Sequence, residues 1–126
     1  MLNGLTILIV EDEALVALAL AEAVEDLEGR AVGPVATVTE ALALLEHEQV
    51  AAAILDANLR DRDVTPLAMQ LIEASVPFVV HSGTGLPTDL AARHPDVPVV
   101  MKPARSTAVL AALLQQVSPD RSLFAS

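Results

Sequence analysis

An apolar run at residues 51–55, Ala-Ala-Ala-Ile-Leu, stops on a carboxylate, Asp56, and comparable switches from apolar to polar recur elsewhere in the chain. A run this short, bounded by polar residues, suits a strand buried on both faces, which places Asp56 at the strand's carboxyl end. Residues 5–10, Leu-Thr-Ile-Leu-Ile-Val, lead into Glu11, Asp12 and Glu13. Residues 77–80 lead into His81, Ser82 and Gly83, and residues 97–101 into Lys102 and Pro103. A weaker strand over residues 31–35 carries Gly33 and is ended by Pro34, breakers that suit a sheet edge.

The intervening segments have helical periodicity. Val16, Leu20, Val24 and Leu27 form one buried stripe, with Gly29 as a stop. Leu15 and Leu18 fall on the opposite side with Glu22 and Glu25, which leaves two leucines exposed near the acidic cluster. Thr37 and Glu40 have the spacing of a capping box, and Ala41, Leu44 and Leu45 supply the apolar face of a helix running to about His47. The loop over residues 56–63 reads as polar and charged, with Thr65-Pro66 as cap and first residue of the next helix. Residues 83–98, rich in Gly and Pro, leave room for a short helix at about 88–93. Leu110, Leu113, Leu114 and Val117 define a last helix, and residues 118–126 read as a tail.

Strands alternating with helices imply βαβ crossovers, hence an α/β, doubly wound, five-stranded parallel sheet with helices on both faces. A unit of this size fits the flavodoxin-like order 2-1-3-4-5, whose switch point lies between strands one and three. Ligands of such sheets bind at the carboxyl ends of the strands, so Glu11, Asp12 and Asp56 are expected to face one another there.

With 126 residues the chain suits a single domain, its core at about residues 4–117. The net charge of −10 argues against a general nucleic-acid binder, whose affinity comes from Lys and Arg neutralising phosphates. No apolar run reaches the roughly 18 residues of a membrane helix, and the start lacks a basic leader, so a cytoplasmic protein with no membrane partner is expected. The absence of cysteine excludes thiol chemistry.

Carboxylates crowded in one crevice repel one another, which favours a cation among them unless the cluster is simply a solvated loop. Hard oxygen ligands suit Mg²⁺, which takes one or two carboxylates and leaves room for phosphate oxygens. Lys102 and Ser82, at two further strand ends, add an ammonium and a hydroxyl. Together these are the parts that stabilise a phosphoryl group.

Glu11-Asp12 after strand one, Asp56 after strand three, Ser82-Gly83 after strand four and Lys102-Pro103 after strand five resemble the receiver domain of two-component response regulators. The resemblance covers nearly the whole chain. Residues 76–85, Val-Pro-Phe-Val-Val-His-Ser-Gly-Thr-Gly, with residues 97–103, are further similar to an alphaproteobacterial subgroup of single-domain receivers with a Phe-Ala-Thr-Gly-rich strand-four end. The resemblance implies that Asp56 accepts a phosphoryl group from a phosphohistidine of a histidine kinase or histidine phosphotransferase, or from a small donor. It implies Mg²⁺ held by Asp12, Asp56 and the backbone carbonyl of Asn58, with Glu11 acting through water. It also implies that Lys102 and Ser82 contact phosphoryl oxygens, that Asn58 and Thr84 flank them, and that Lys102-Pro103 is cis.

The resemblance further implies a domain that catalyses only its own phosphorylation and dephosphorylation and signals through protein contacts, and a monomer or weak dimer is expected. Two rivals are a pseudo-receiver that binds its partner independently of phosphorylation, and a small phosphohydrolase. The second is disfavoured because the strand end Leu55-Asp56-Ala57-Asn58 lacks a second carboxylate for general acid work. One departure from the family pattern is Val99, where many receivers carry an aromatic switch residue. His81 reads as ordinary packing or a surface group, with no chemical role.

Overall fold

The computed structural model describes residues 2–117, so the tail expected from Ser118 lies outside the described residues. The elements alternate strictly: β1 (Thr6–Val10), α1 (Ala14–Asp26), β2 (Arg30–Val35), α2 (Val38–Leu45), β3 (Ala52–Asp56), α3 (Thr65–Glu73), β4 (Phe78–Ser82), α4 (Thr88–Arg93), β5 (Val99–Met101) and α5 (Ser106–Val117). The five strands are parallel, as the alternation implies, in the flavodoxin-like order β2-β1-β3-β4-β5 that a unit of this size fits. No described helix is long and apolar enough to cross a membrane.

Side-chain alternation along the strands splits the core in two. Leu8, Val10, Ala53, Leu55 and Val80 face α2, α3 and α4, where they meet Ala41, Leu67, Leu71 and Leu90. Ile7, Ile9, Ala52, Ile54 and Val79 face α1 and α5, where they meet Leu20, Val24, Leu110 and Leu113. Each fully buried leucine or isoleucine contributes about 1.5–3 kcal/mol of transfer free energy. Because β3 is buried on both faces throughout, its carboxyl end is fixed by packing on either side.

Several boundaries differ from the sequence expectation. The buried face of α1 is Ala17, Leu20 and Val24, with Val16 and Leu27 only partly buried; small Ala17 allows the helix to approach the sheet closely. β2 is an edge strand, but it continues through Pro34 instead of ending there. Its pairing with β1 slips between Leu8 and Val10, where Gly33 has φ +88°. A Cβ on Gly33 would lie 2.9 Å from the Val35 nitrogen and 3.0 Å from the Ile9 oxygen, so the irregularity requires glycine.

α2 ends at Leu45, about two residues before His47. Thr65 is not the cap of α3 but its first residue: Val64 precedes it, and the Thr65 N–H is satisfied by the Asp63 carboxylate at 2.8 Å. The 56–63 loop is less polar than it reads, since Ala57 and Leu59 are buried and Asn58 bridges Asp63.

Candidate functional site

Strand register brings the sequence-predicted residues together. Val10 pairs with Leu55, Asp56 with His81, and Ser82 with Met101, so the polar residues that follow each apolar run emerge side by side. Glu11, Asp12 and Asp56 place carboxylate oxygens within 4.8 Å of one another. Glu11 and Asp56 are buried, while Asp12 is half-buried.

The Lys102 ammonium enters this cluster from the end of β5. Its Nζ lies 3.3 Å from Asp56 Oδ2, 3.5 Å from Glu11 Oε1 and 3.6 Å from Glu13 Oε1. The Lys102-Pro103 peptide is cis, as the resemblance implied. The Lys102 N–H donates to the Ser82 carbonyl at 2.8 Å, which ties the base of the lysine to β4. Burial works against the ammonium, but Glu11 and Asp56 outweigh it and raise its pKa.

Burial, followed by the hydrogen bond and charge of Asp56, pushes Glu11 up to about 7, well above the usual carboxylate range. One Glu11 oxygen accepts from the Glu13 N–H at 3.2 Å. The other, Oε1, is buried without a hydrogen-bond partner among the described residues. Three close carboxylates, one of them inclined to keep its proton, make a site short of positive charge. This donor set suits a hard divalent cation such as Mg²⁺.

A second, outer group sits on the neighbouring loops. The Asn58 N–H donates to Asp56 Oδ1 at 3.3 Å, and Asn58 Nδ2 makes a long contact of 3.5 Å with Thr84 Oγ1. Ser82 is buried at the end of β4, but its hydroxyl donates to the Gly85 carbonyl at 2.8 Å and accepts from the Thr84 N–H at 3.0 Å. The lysine and carboxylates are therefore engaged with one another, whereas Ser82 is engaged with its own loop. Val99 is half-buried on β5 and supplies no aromatic ring.

Two features escaped the sequence pattern, and a third residue, His81, is packed inside. Arg60 donates to the Asp12 carbonyl at 3.2 Å, joining the loop after Asp56 to the acidic cluster. The Asp61 carboxylate accepts from the Val38 and Thr39 N–H groups, both at 3.0 Å, and from the Thr39 hydroxyl at 2.8 Å. Burial alone would raise its pKa, but these bonds together outweigh it and bring it down to about 2. His81 is buried, and burial followed by the charge of Lys102 pushes its imidazole pKa down.

No protein-family model matches the chain, and neither does any curated protein. Solved structures do. The receiver domain of sensor histidine kinase PA1611 from Pseudomonas aeruginosa PAO1, which has a magnesium ion coordinated in its active site cleft, is 19% identical with a TM-score of 0.76 over 92% of this chain and 99% of that one. A response regulator receiver protein from Sinorhizobium medicae WSM419 is 24% identical, with a TM-score of 0.77 over 94% of this chain and 98% of the other. These two likenesses show the fold. The receiver SdrG from Sphingomonas melonis Fr1 is 42% identical, with a TM-score of 0.72, and the alignment covers 90% of this chain and 99% of SdrG. On that identity across nearly the whole of both chains, this chain belongs to the response regulator receiver domains of two-component systems.

Proposed function

We propose that Asp56 is the phosphoacceptor of this receiver, taking a phosphoryl group from a phosphohistidine of a histidine kinase or histidine phosphotransferase. The observation that carries this reading is Lys102 Nζ, 3.3 Å from Asp56 Oδ2, beside three carboxylates whose oxygens gather within 4.8 Å. An acyl phosphate forms when a carboxylate oxygen of Asp56 attacks phosphorus and the phosphorus–nitrogen bond of the donor breaks. Charge then accumulates on the phosphoryl oxygens, and pre-placed cations oppose it most effectively in a site shielded from water.

Asp12 and Asp56, with the Asn58 carbonyl, would hold Mg²⁺, and Glu11 would act through water. The ion supplies charge neutralisation for the transferring group. Lys102 releases the Asp56 carboxylate and follows the charge onto a phosphoryl oxygen. Ser82 supplies a further donor once its hydroxyl leaves the Gly85 carbonyl, and Asn58 and Thr84 border the remaining side. The phosphorylated domain acts through protein contacts, as a signal or as a sink for phosphate.

The test is intact-mass measurement and Phos-tag electrophoresis after incubation with acetyl phosphate and MgCl₂, and separately with phosphorylated kinase or phosphotransferase. Wild type is expected to gain one phosphoryl group, and no gain is expected when the cation is chelated beforehand or in Asp56→Asn. Modification of Asp56→Asn to the wild-type extent would overturn the assignment.

A further inference from the structure

His81 is the buried residue for which the proposed chemistry has no use. It is 3% exposed and pairs in register with Asp56 on one side and Val100 on the other. Neither ring nitrogen has a hydrogen-bond partner among the described residues. The same is true of Glu11 Oε1, and this oxygen lies 4.0 Å from His81 Nδ1. Two buried groups without a hydrogen bond, a potential N–H donor and a carboxylate oxygen whose partner is the Lys102 ammonium, thus face each other just outside bonding distance.

Unpaired buried polar atoms are uncommon in folded proteins, and each calls for a reason. Packing is not a sufficient one here. Val79, two residues earlier on the same face of β4, fills its place with no polar atom at all. The ring borders a cavity of about 210 Å³ between α1 and the start of α5, lined in part by Val16, Leu20 and Ala104. A shift of about 1 Å would bring the pair within hydrogen-bond range.

Glu11 needs such a partner. Its second oxygen is fixed by the Glu13 N–H, but Oε1 has only the Lys102 ammonium, which it shares with Asp56 and Glu13. When Lys102 turns to a phosphoryl oxygen, Oε1 loses that share. We propose that His81 is a positioning residue, donating its Nδ1–H to Glu11 Oε1 and fixing that carboxylate behind the bound divalent cation. The inference rests on the Mg²⁺ reading given above. It concerns the orientation of Glu11, as outer partners of metal sites orient the groups in front of them.

The test is Mg²⁺ titration by isothermal calorimetry of wild type, His81→Leu and His81→Asn, with melting temperatures measured alongside. Long-range ¹H–¹⁵N spectra of the wild-type imidazole are recorded with and without MgCl₂. His81→Leu is expected to weaken Mg²⁺ binding about tenfold while melting at or above the wild-type temperature, since it removes unpaired polar atoms. His81→Asn, whose amide N–H stands near the lost Nδ1, is expected to keep affinity within about threefold of wild type. The wild-type spectrum should show the Nδ1–H form in the presence of Mg²⁺.

Wild-type affinity in His81→Leu, or an Nε2–H form unchanged by Mg²⁺, overturns the role of His81 and leaves the metal reading standing. Failure of wild type to bind Mg²⁺ overturns both. Should His81→Leu not fold, the His81→Asn affinity and the wild-type spectrum decide.

Discussion

Asp56 combines two conditions that seldom coexist, burial and direct contact with an ammonium group. It is 6% exposed, yet its carboxylate contacts the Lys102 ammonium on one oxygen and the Asn58 N–H on the other. Asp56, Asp12, Glu11 and Lys102 were legible in the sequence because each follows an apolar run that the sheet must bury. Asp61 was not, because its partners on α2 lie 22 and 23 residues earlier and no local pattern announces them. Arg60 was hidden for the same reason, its partner being 48 residues away. The pKa of Asp61, lowered from 3.8 to about 2, fixes the sign of its pH dependence. Its stabilisation is fully present above the unfolded value of 3.8 and is lost as pH falls through about 2. Asp61→Ala is therefore expected to melt below wild type at pH 7, the gap closing as pH drops from about 4 toward 2. Paired thermal melts across that range check it, and a gap independent of pH would show that the charge of Asp61 is not what caps α2.

Among the elements, α1 matched its reading in one respect and departed in another. The exposed pair was legible: Leu15 is 83% and Leu18 55% exposed, beside the acidic cluster. The buried face was shifted toward Ala17 because periodicity places a stripe but does not say which of its edges meets the sheet. A substitution at Leu15 removes little buried surface, so Leu15→Glu is expected to change stability by less than about 0.5 kcal/mol. If the leucines form part of the donor's contact surface, phosphotransfer from a protein donor should slow while labelling by acetyl phosphate stays at the wild-type rate. Comparing the two donors separates contact from chemistry, and equal slowing with both would place Leu15 in the reaction instead. The loop after β3 shows the converse failure of sequence reading. Its charged surface residues concealed Ala57 and Leu59, whose burial organises it.

The whole molecule carries a net charge of −10, with three carboxylates of the excess confined to one end of the sheet. A divalent cation bound there stabilises the folded state by mass action, about 2.7 kcal/mol when its concentration is a hundredfold above Kd. MgCl₂ is thus expected to raise the melting temperature more than NaCl of matched ionic strength, and Asp12→Ala to remove the difference. Equal shifts with both salts would reduce the effect to screening of surface charge. The parallel sheet was legible because strict alternation implies βαβ crossovers, and its order because a five-stranded unit of this size fits the flavodoxin-like one, whereas the grip of one loop on distant elements was not. That grip has a mechanical consequence. The segment between Asp56 and α3 is bolted to the first turn of α2 by Asp61 and reaches the loop after β4 through Asn58 and Thr84. With Arg60 holding the same segment to the Asp12 carbonyl, it is moored at three points, and a displacement begun at Asp56 would pull on all three. The mooring to α2 involves no aromatic ring at Val99.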